Sequence, residues 1–155
     1  MLQRNPLRIT LLVSLVALIA AVSLVFGGDG YFYAERLIDA KGGQLTAGDG
    51  APGTRLVIPE GALNEETLIS MEVISDGVSR IDFNFGPHGA VFNKPVQLEL
   101  SWATLKDVTA DELILYYYDE KLGEWVEETT AVWDETGKKA VLYIDHFSRY
   151  YFDRR

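Results

Sequence analysis

The chain has 155 residues, of which 48% are hydrophobic, a size and composition that fit one folded domain and exclude a disordered chain. Its net charge is −9, and a surface of that sign repels nucleic acid and anionic lipid headgroups. The chain has no cysteine and only two histidines, which excludes a disulfide, a thiolate metal site and a histidine-rich metal site.

Residues 1–28 are typical of a membrane-targeting segment. Arg4 and Arg8 precede an uncharged run at residues 9–26, which as a helix would span about 27 Å, close to the roughly 30 Å hydrocarbon core of a bilayer. This run is either an uncleaved signal anchor or a signal peptide cut at the small-x-small site at residues 21–23. The apolar run continues past that site, which favours the anchor. In both cases the basic flank stays in the cytoplasm and the domain crosses the membrane, to remain tethered or to be secreted.

Residues 29–41 follow as a linker or lead-in. Within them, residues 31–39 fit either a first strand or an aromatic segment at the membrane interface, where tyrosines often lie. We assign residues 42–155 to the folded domain. Without the first 28 residues, 12 basic and 23 acidic residues remain, so this part carries a net charge of −11.

Period-two alternation dominates the rest of the chain and predicts half-buried antiparallel strands. A strand at residues 56–58 stops at Pro59, a turn with Gly61 at positive φ follows, and the next strand begins at Thr67. Pro95 is expected to open a strand. Alternation also predicts core positions on one face of each strand and places Glu99 on a solvated face. The predicted core positions are Ile69, Phe83, Leu98 and Leu115.

The second half of the chain follows the same design. One helical turn is expected at residues 109–112, a central strand at residues 113–118, and hairpin turns at residues 119–123 and 134–139. A single last strand runs from Ala140 to about Phe152. The fold class is therefore all-β, an antiparallel β-sandwich of about eight to ten strands preceded by one N-terminal hydrophobic helix.

Four segments resemble a known family when taken together. They are Ile58-Pro59-Glu60-Gly61-Ala62-Leu63, the run GPHGAVFNKPVQLEL at residues 86–100, Lys41-Gly42-Gly43-Gln44-Leu45, and His146-Phe147-Ser148-Arg149-Tyr150. In this order they resemble the ZU-five domain shared by zonula occludens scaffolds, netrin receptors and ankyrins, and the likeness covers residues 42–152. The resemblance implies a protein-interaction or scaffold module, although a shared fold does not determine function.

The His146-Phe147-Ser148 motif is the one candidate for chemistry. Some ZU-five relatives in death-domain and inflammasome proteins cut themselves between the Phe and Ser of this motif. Here the Ser148 hydroxyl would attack the Phe147 carbonyl and move the acyl group from nitrogen to oxygen, and water would then hydrolyse the ester, with His146 as acid or base. The alternative is structural: in a strand, Phe147 would be a core residue, and His146 and Ser148 would share the other face. We favour the structural alternative.

Aromatic residues in the second half suggest a further possibility. They form either a platform for sugars or peptides, or core and cross-strand pairs. They are Tyr116, Tyr117, Tyr118, Trp125, Trp133, Tyr150, Tyr151 and Phe152. Asp29, Asp49 and Asp76 each precede a glycine, which indicates turns because no Asp-x-Asp-x-Asp-Gly calcium spacing is present.

Three functional hypotheses follow from the sequence. The first is a non-enzymatic extracytoplasmic domain that binds or spaces other proteins while tethered to a membrane. The second is self-processing at the Phe147–Ser148 bond, and the third is carbohydrate binding. We expect no cofactor, and the sequence leaves the protein partner undefined.

Overall fold

The computed structural model describes residues 30–47 and 53–155, which form eleven strands in two antiparallel sheets packed face to face. This confirms the expected all-β sandwich, with more strands than the eight to ten predicted. In the two described ranges no helix has the length and apolarity needed to cross a bilayer. The hydrophobic helix expected at residues 9–26 lies outside those ranges. The strands are β1 (Tyr31–Ile38), β2 (Gly43–Ala47), β3 (Thr54–Ile58), β4 (Thr67–Ser75), β5 (Arg80–Gly86), β6 (Val91–Ser101), β7 (Leu113–Asp119), β8 (Glu124–Glu127), β9 (Val132–Asp134), β10 (Lys139–His146) and β11 (Tyr150–Arg154).

The larger sheet has the strand order β1-β4-β5-β11-β7-β8, and the smaller sheet has the order β2-β3-β6-β10-β9. Their inner faces enclose one hydrophobic core, and the expected core residues Ile69, Phe83, Leu98 and Leu115 are all buried in it. Aromatic rings join the two sheets. The ring centroid of Trp102, which follows β6, lies 5.9 Å from that of Phe152 in β11.

β1 settles the two alternatives for residues 31–39. It pairs along its whole length with β4, from Tyr31 opposite Ile74 to Ile38 opposite Thr67. This segment, which lies in the predicted linker or lead-in, is therefore an edge strand of the larger sheet. Ala34 and Ile38 on its inner face are buried, and that burial holds the strand against the core.

The turn after β3 forms as expected. β3 ends at Ile58, the Ala62 amide donates to the Pro59 carbonyl at 3.1 Å, and Gly61 adopts a φ of +79°. The expected helical turn is also present, as a 3-10 helix at Ala110–Glu112. The Glu112 carboxylate accepts the Thr109 amide at 2.9 Å and closes its first turn.

Pro95 does not open a strand, because it lies in the middle of β6. The ladder between β6 and β10 is regular up to Val96 opposite Ile144 and then shifts, so that His146 lies opposite Val91. β3 pairs only with Gln97, Leu98 and Glu99 of β6. Pro95 therefore lies where both ladders are interrupted, and its missing N–H breaks no bond of either one.

The last predicted strand is in fact two strands in different sheets. β10 belongs to the smaller sheet and pairs with β6, whereas β11 belongs to the larger sheet and pairs with β5 and β7. Phe147, Ser148 and Arg149 form the crossing between them. The crossing therefore joins an inner strand of the smaller sheet to an inner strand of the larger sheet.

Glu99 is buried, contrary to the expectation of a solvated face. Its carboxylate bonds to Arg55 of β3 at 2.5 Å and to Lys139 of β10 at 2.8 Å, and these side chains cover it. Burial alone would raise the pKa of Glu99, but the hydrogen bonds from Arg55 and Lys139 outweigh it and hold the pKa below its ordinary value. The outer face of the smaller sheet is therefore held by an ion pair network.

Leu98→Ala should lower the free energy of unfolding by about 2–5 kcal/mol, because it leaves a cavity at the centre of the core. Val91→Ala in the same strand is the matched control. Val91 is 76% exposed, so its truncation should change stability by less than about 0.5 kcal/mol. Equal effects in urea-induced unfolding would contradict the assigned register.

Glu99→Gln should lower the free energy of unfolding by about 1–3 kcal/mol at neutral pH, because Arg55 and Lys139 lose their shared carboxylate. The folded-state pKa of Glu99 lies below its unfolded value, so its contribution is present above roughly pH 4.5 and is lost as pH falls through the folded pKa. The difference between wild type and variant should therefore shrink on acidification. Glu66→Gln, at an exposed position just before β4, is the control. A pH-independent difference between wild type and Glu99→Gln would refute this assignment.

Candidate functional site

The crossing between β10 and β11 carries the His146-Phe147-Ser148 motif, and its backbone is hydrogen-bonded to two other segments. The Phe147 amide donates to the Ala90 carbonyl at 2.8 Å, and the Tyr118 amide of β7 donates to the Arg149 carbonyl at 2.9 Å. The crossing is thus attached to the turn before β6 on one side and to the end of β7 on the other.

Phe147 is fully buried in the core. Its ring stacks on Phe85 with centroids 5.5 Å apart and meets Phe92 edge to face at 4.8 Å. Phe85 belongs to the larger sheet and Phe92 to the smaller one, so this ring fills the space between the sheets where the chain crosses.

Ser148 is also buried, and its hydroxyl donates to the Tyr118 carbonyl at 2.5 Å. His146 is half-exposed, and its Nδ1 lies 2.6 Å from a carboxylate oxygen of Asp145. The hydrogen bond from His146 holds the pKa of Asp145 below its ordinary value. Among the described residues no hydrogen bond joins His146 to Ser148, and the expected shared strand face is absent because β10 ends at His146.

This arrangement favours a structural role for the motif over self-cleavage. A serine nucleophile needs a base within hydrogen-bond reach of its hydroxyl. Here the hydroxyl donates to a backbone carbonyl, which is too weak a base to remove its proton. The hydroxyl and the Arg149 carbonyl together bind both backbone groups of Tyr118. The structure thus brings Phe147 and Ser148 into the core and leaves His146 at the surface.

The eight aromatic residues divide between the core and the outer face of the larger sheet. Tyr117, Trp133, Tyr150 and Phe152 pack in or against the core. Burial raises the pKa of Tyr150 above its ordinary value. The other four, Tyr116, Tyr118, Trp125 and Tyr151, alternate with these or pair with one another on the outer face of the larger sheet.

These four outer rings are in contact with one another. Tyr116 stacks on Tyr151 with centroids 4.8 Å apart, Trp125 meets Tyr151 edge to face at 4.6 Å, and Tyr118 lies 5.3 Å from Trp125. They come from three neighbouring strands, β11, β7 and β8, and the pairing of those strands sets the contacts.

Two arginines cover the ends of this group. The Arg80 guanidinium lies 3.9 Å from the centre of the Tyr151 ring, and the Arg149 guanidinium lies 4.1 Å from Tyr118 and 5.4 Å from Trp125. Arg80 also forms a two-bond pair with Asp82, at 2.7 and 2.9 Å. We call these six side chains the outer-face cluster: Arg80, Tyr116, Tyr118, Trp125, Arg149 and Tyr151.

Sequence reasoning missed both arginines. Arg80 begins the polar face that alternates through Asp82 and Asn84, and that alternation places it beside the aromatic strands only once the strand order is known. Arg149 lies in the crossing, where period two no longer applies, and nothing in the sequence pattern separates it from an ordinary surface arginine.

Shallow grooves flank the sandwich in the described ranges. A groove of about 470 Å³ includes Leu113, Trp133 and Glu127, and another of about 600 Å³ includes Phe32 and Lys106. No group of three potential metal ligands occurs among the residues the structure describes. Asp76 forms the expected turn, since one of its carboxylate oxygens accepts the amides of Val78, Ser79 and Arg80.

No protein-family model matches the chain, and no curated protein matches it.

Wild type and Ser148→Ala should each remain one uncut chain, and the substitution should lower the free energy of unfolding by about 1 kcal/mol, because the Tyr118 carbonyl loses its hydrogen-bond partner. Intact-mass spectrometry after prolonged incubation, with and without hydroxylamine, checks both variants. A fragment of residues 148–155 that hydroxylamine accelerates in wild type, and that the alanine variant does not release, would show that the motif cuts the chain.

Proposed function

We propose that this chain is a non-enzymatic interaction domain on the extracytoplasmic side of a membrane, tethered by its N-terminal segment, and that it binds another protein through the outer-face cluster. The observation that carries the proposal is the composition and contact of that cluster. Tyrosine, tryptophan and arginine dominate the residues that supply most binding energy in protein interfaces. Here six such side chains are packed together on the outer face of a sheet.

The cluster is also rigid, which lowers the cost of binding. Its rings are held by contacts with one another and by the guanidinium groups above them, so little side-chain freedom would be lost when a partner covers them. Trp125 is 37% exposed and offers the most accessible apolar surface of the four rings. A partner would therefore meet a preformed surface.

The ends of the described chain suggest how the domain would be presented. The Gly30 carbonyl accepts the Ser75 amide at 2.7 Å, and the Arg154 amide donates to the Ser79 carbonyl at 2.9 Å, so both ends lie beside the turn between β4 and β5. Arg149 and the β7–β8 turn lie at the opposite end of the larger sheet. An anchor at residues 1–28 would then direct this end of the cluster away from the membrane.

The resemblance to ZU-five domains supports the same function, because members of that family are mostly scaffold or protein-interaction modules. Support for a non-enzymatic role comes from the motif that self-cutting relatives use. The Ser148 hydroxyl bonds to a backbone carbonyl and Phe147 is packed between two rings.

Carbohydrate binding is the second candidate, and Trp125 is the observation that favours it. Sugars stack on exposed aromatic faces, and Trp125 is both exposed and flanked by Tyr118 and Tyr151. Arg80 and Arg149 lie over the rings of Tyr151 and Tyr118. These guanidinium groups reduce the free ring surface and favour a protein partner over a sugar.

A photoactivatable amino acid at position 125 of the full chain in its host cells should give protein adducts of defined mass, and Tyr151→Ala should weaken them. The control is the same label at Tyr143, which is 69% exposed on the outer face of the smaller sheet. Equal adducts from both positions, or none from position 125, would contradict the proposal. Retention on a polysaccharide that Trp125→Ala abolishes, without protein adducts, would favour the carbohydrate alternative.

A further inference from the structure

The arginines of the described ranges differ in whether a carboxylate neutralises the charge of the guanidinium. Arg55, Arg80 and Arg154 each pair with a carboxylate, of Glu99, Asp82 and Glu112 respectively. The side chain of Arg149 forms no hydrogen bond and no ion pair with any residue that the structure describes; the guanidinium contacts the rings of Tyr118 and Trp125.

The two rings hold the Arg149 guanidinium in place, and no residue that the structure describes forms a hydrogen bond with it. Its Nε is buried without a partner. No residue in the described ranges bonds to Nη1 or Nη2 either, and Arg149 as a whole is only partly buried. A guanidinium carries five donors in a planar fork that matches a carboxylate, and the two rings fix the plane of that fork before any ligand arrives. The cost of ordering the side chain is then already met within the free domain.

The charge of the domain restricts what can reach this arginine. The residues after the first 28 carry a net charge of −11, so a strongly acidic segment would be repelled at long range. One isolated carboxylate loses little to that repulsion and gains charge-assisted hydrogen bonds at contact. Exposed Trp125, beside the guanidinium, offers apolar surface to the neighbours of that carboxylate.

We propose that Arg149 is the anchor for a single carboxylate of the partner, an Asp or Glu side chain flanked by an aromatic or aliphatic residue that packs on Trp125. This inference rests on the proposed function, since it names the chemistry of the partner at the same cluster. The guanidinium binds the carboxylate through its terminal nitrogens, and the tryptophan ring excludes water from one side of the pair.

Selection from a random peptide display library against the full chain in detergent tests this. Enriched peptides should carry one Asp or Glu next to an aromatic or aliphatic residue. Changing that acid to its amide should weaken binding roughly 10- to 100-fold, the loss expected for charge-assisted hydrogen bonds. Arg149→Gln should cause the same loss, and combining the two changes should add little, because both remove one interaction.

Two further variants make the test specific. Arg36→Gln removes the same charge from β1, where the Arg36 guanidinium donates to the Gln44 carbonyl, and it should leave peptide binding unchanged. Arg149→Lys keeps the charge without the planar fork and should retain part of the affinity, which separates loss of binding from loss of folding.

The possible failures are distinguishable. Peptides that lose binding on Trp125→Ala but carry no acid, or ignore Arg149→Gln, would overturn the carboxylate anchor and leave the interaction face standing. Peptides that ignore both variants bind elsewhere and would overturn both proposals. A library that yields no enriched peptide would also overturn the anchor, since a preformed site for so simple a motif should select one.

Discussion

The hydrogen bonds of Tyr118 to the crossing are the constraint on which the rest of this domain depends. Its carbonyl accepts the Ser148 hydroxyl and its amide donates to the Arg149 carbonyl, so one residue of β7 holds the chain as it passes from one sheet to the other. A buried crossing must satisfy its backbone polar groups without a ladder. The third bond, from the Phe147 amide to the Ala90 carbonyl, ties the same crossing to the turn before β6.

Packing and surface chemistry both follow from this attachment. Below the crossing, Phe147 joins Phe85 and Phe92 and fills the core where the sheets separate. Above it, Arg149 is placed over the Tyr118 ring, which is fixed by the backbone bonds just described. The Ser148 hydroxyl binds the backbone carbonyl of the same tyrosine, next to the arginine that we propose binds a partner.

Alternation along the chain predicted the sandwich well because most strands are wet on one face and buried on the other. It failed at the crossing for a specific reason. Ala140, Leu142 and Ile144 of β10 and Tyr150 and Phe152 of β11 are all buried and all fall on even positions. Because three residues separate β10 from β11, the buried positions of both strands remain even-numbered. The alternation therefore gives no sign that the chain changes sheet. Only the polar His146 and Ser148, at even positions themselves, indicate the break.

Glu99 and Arg149 were beyond sequence reasoning for a related reason. A glutamate that alternates with leucines predicts a solvated face, and only the pairing of β6 with β3 and β10 brings Arg55 and Lys139 over it. Arg149 contacts Trp125, which lies in the β7–β8 hairpin, far from Arg149 in the sequence. In both cases, residues from other strands determine the environment of the side chain, and the pattern of a single strand does not reveal those residues.

Native-state hydrogen exchange at the crossing tests this account most directly. If the crossing belongs to the core, the amides of Phe147 and Tyr118 should exchange only through global unfolding, with the same opening free energy as the amides at the centre of β6. They should also follow the global stability when denaturant is added. Exchange through a separate, lower-energy opening at these two amides, while β6 stays protected, would contradict the claim that the crossing holds the sandwich together.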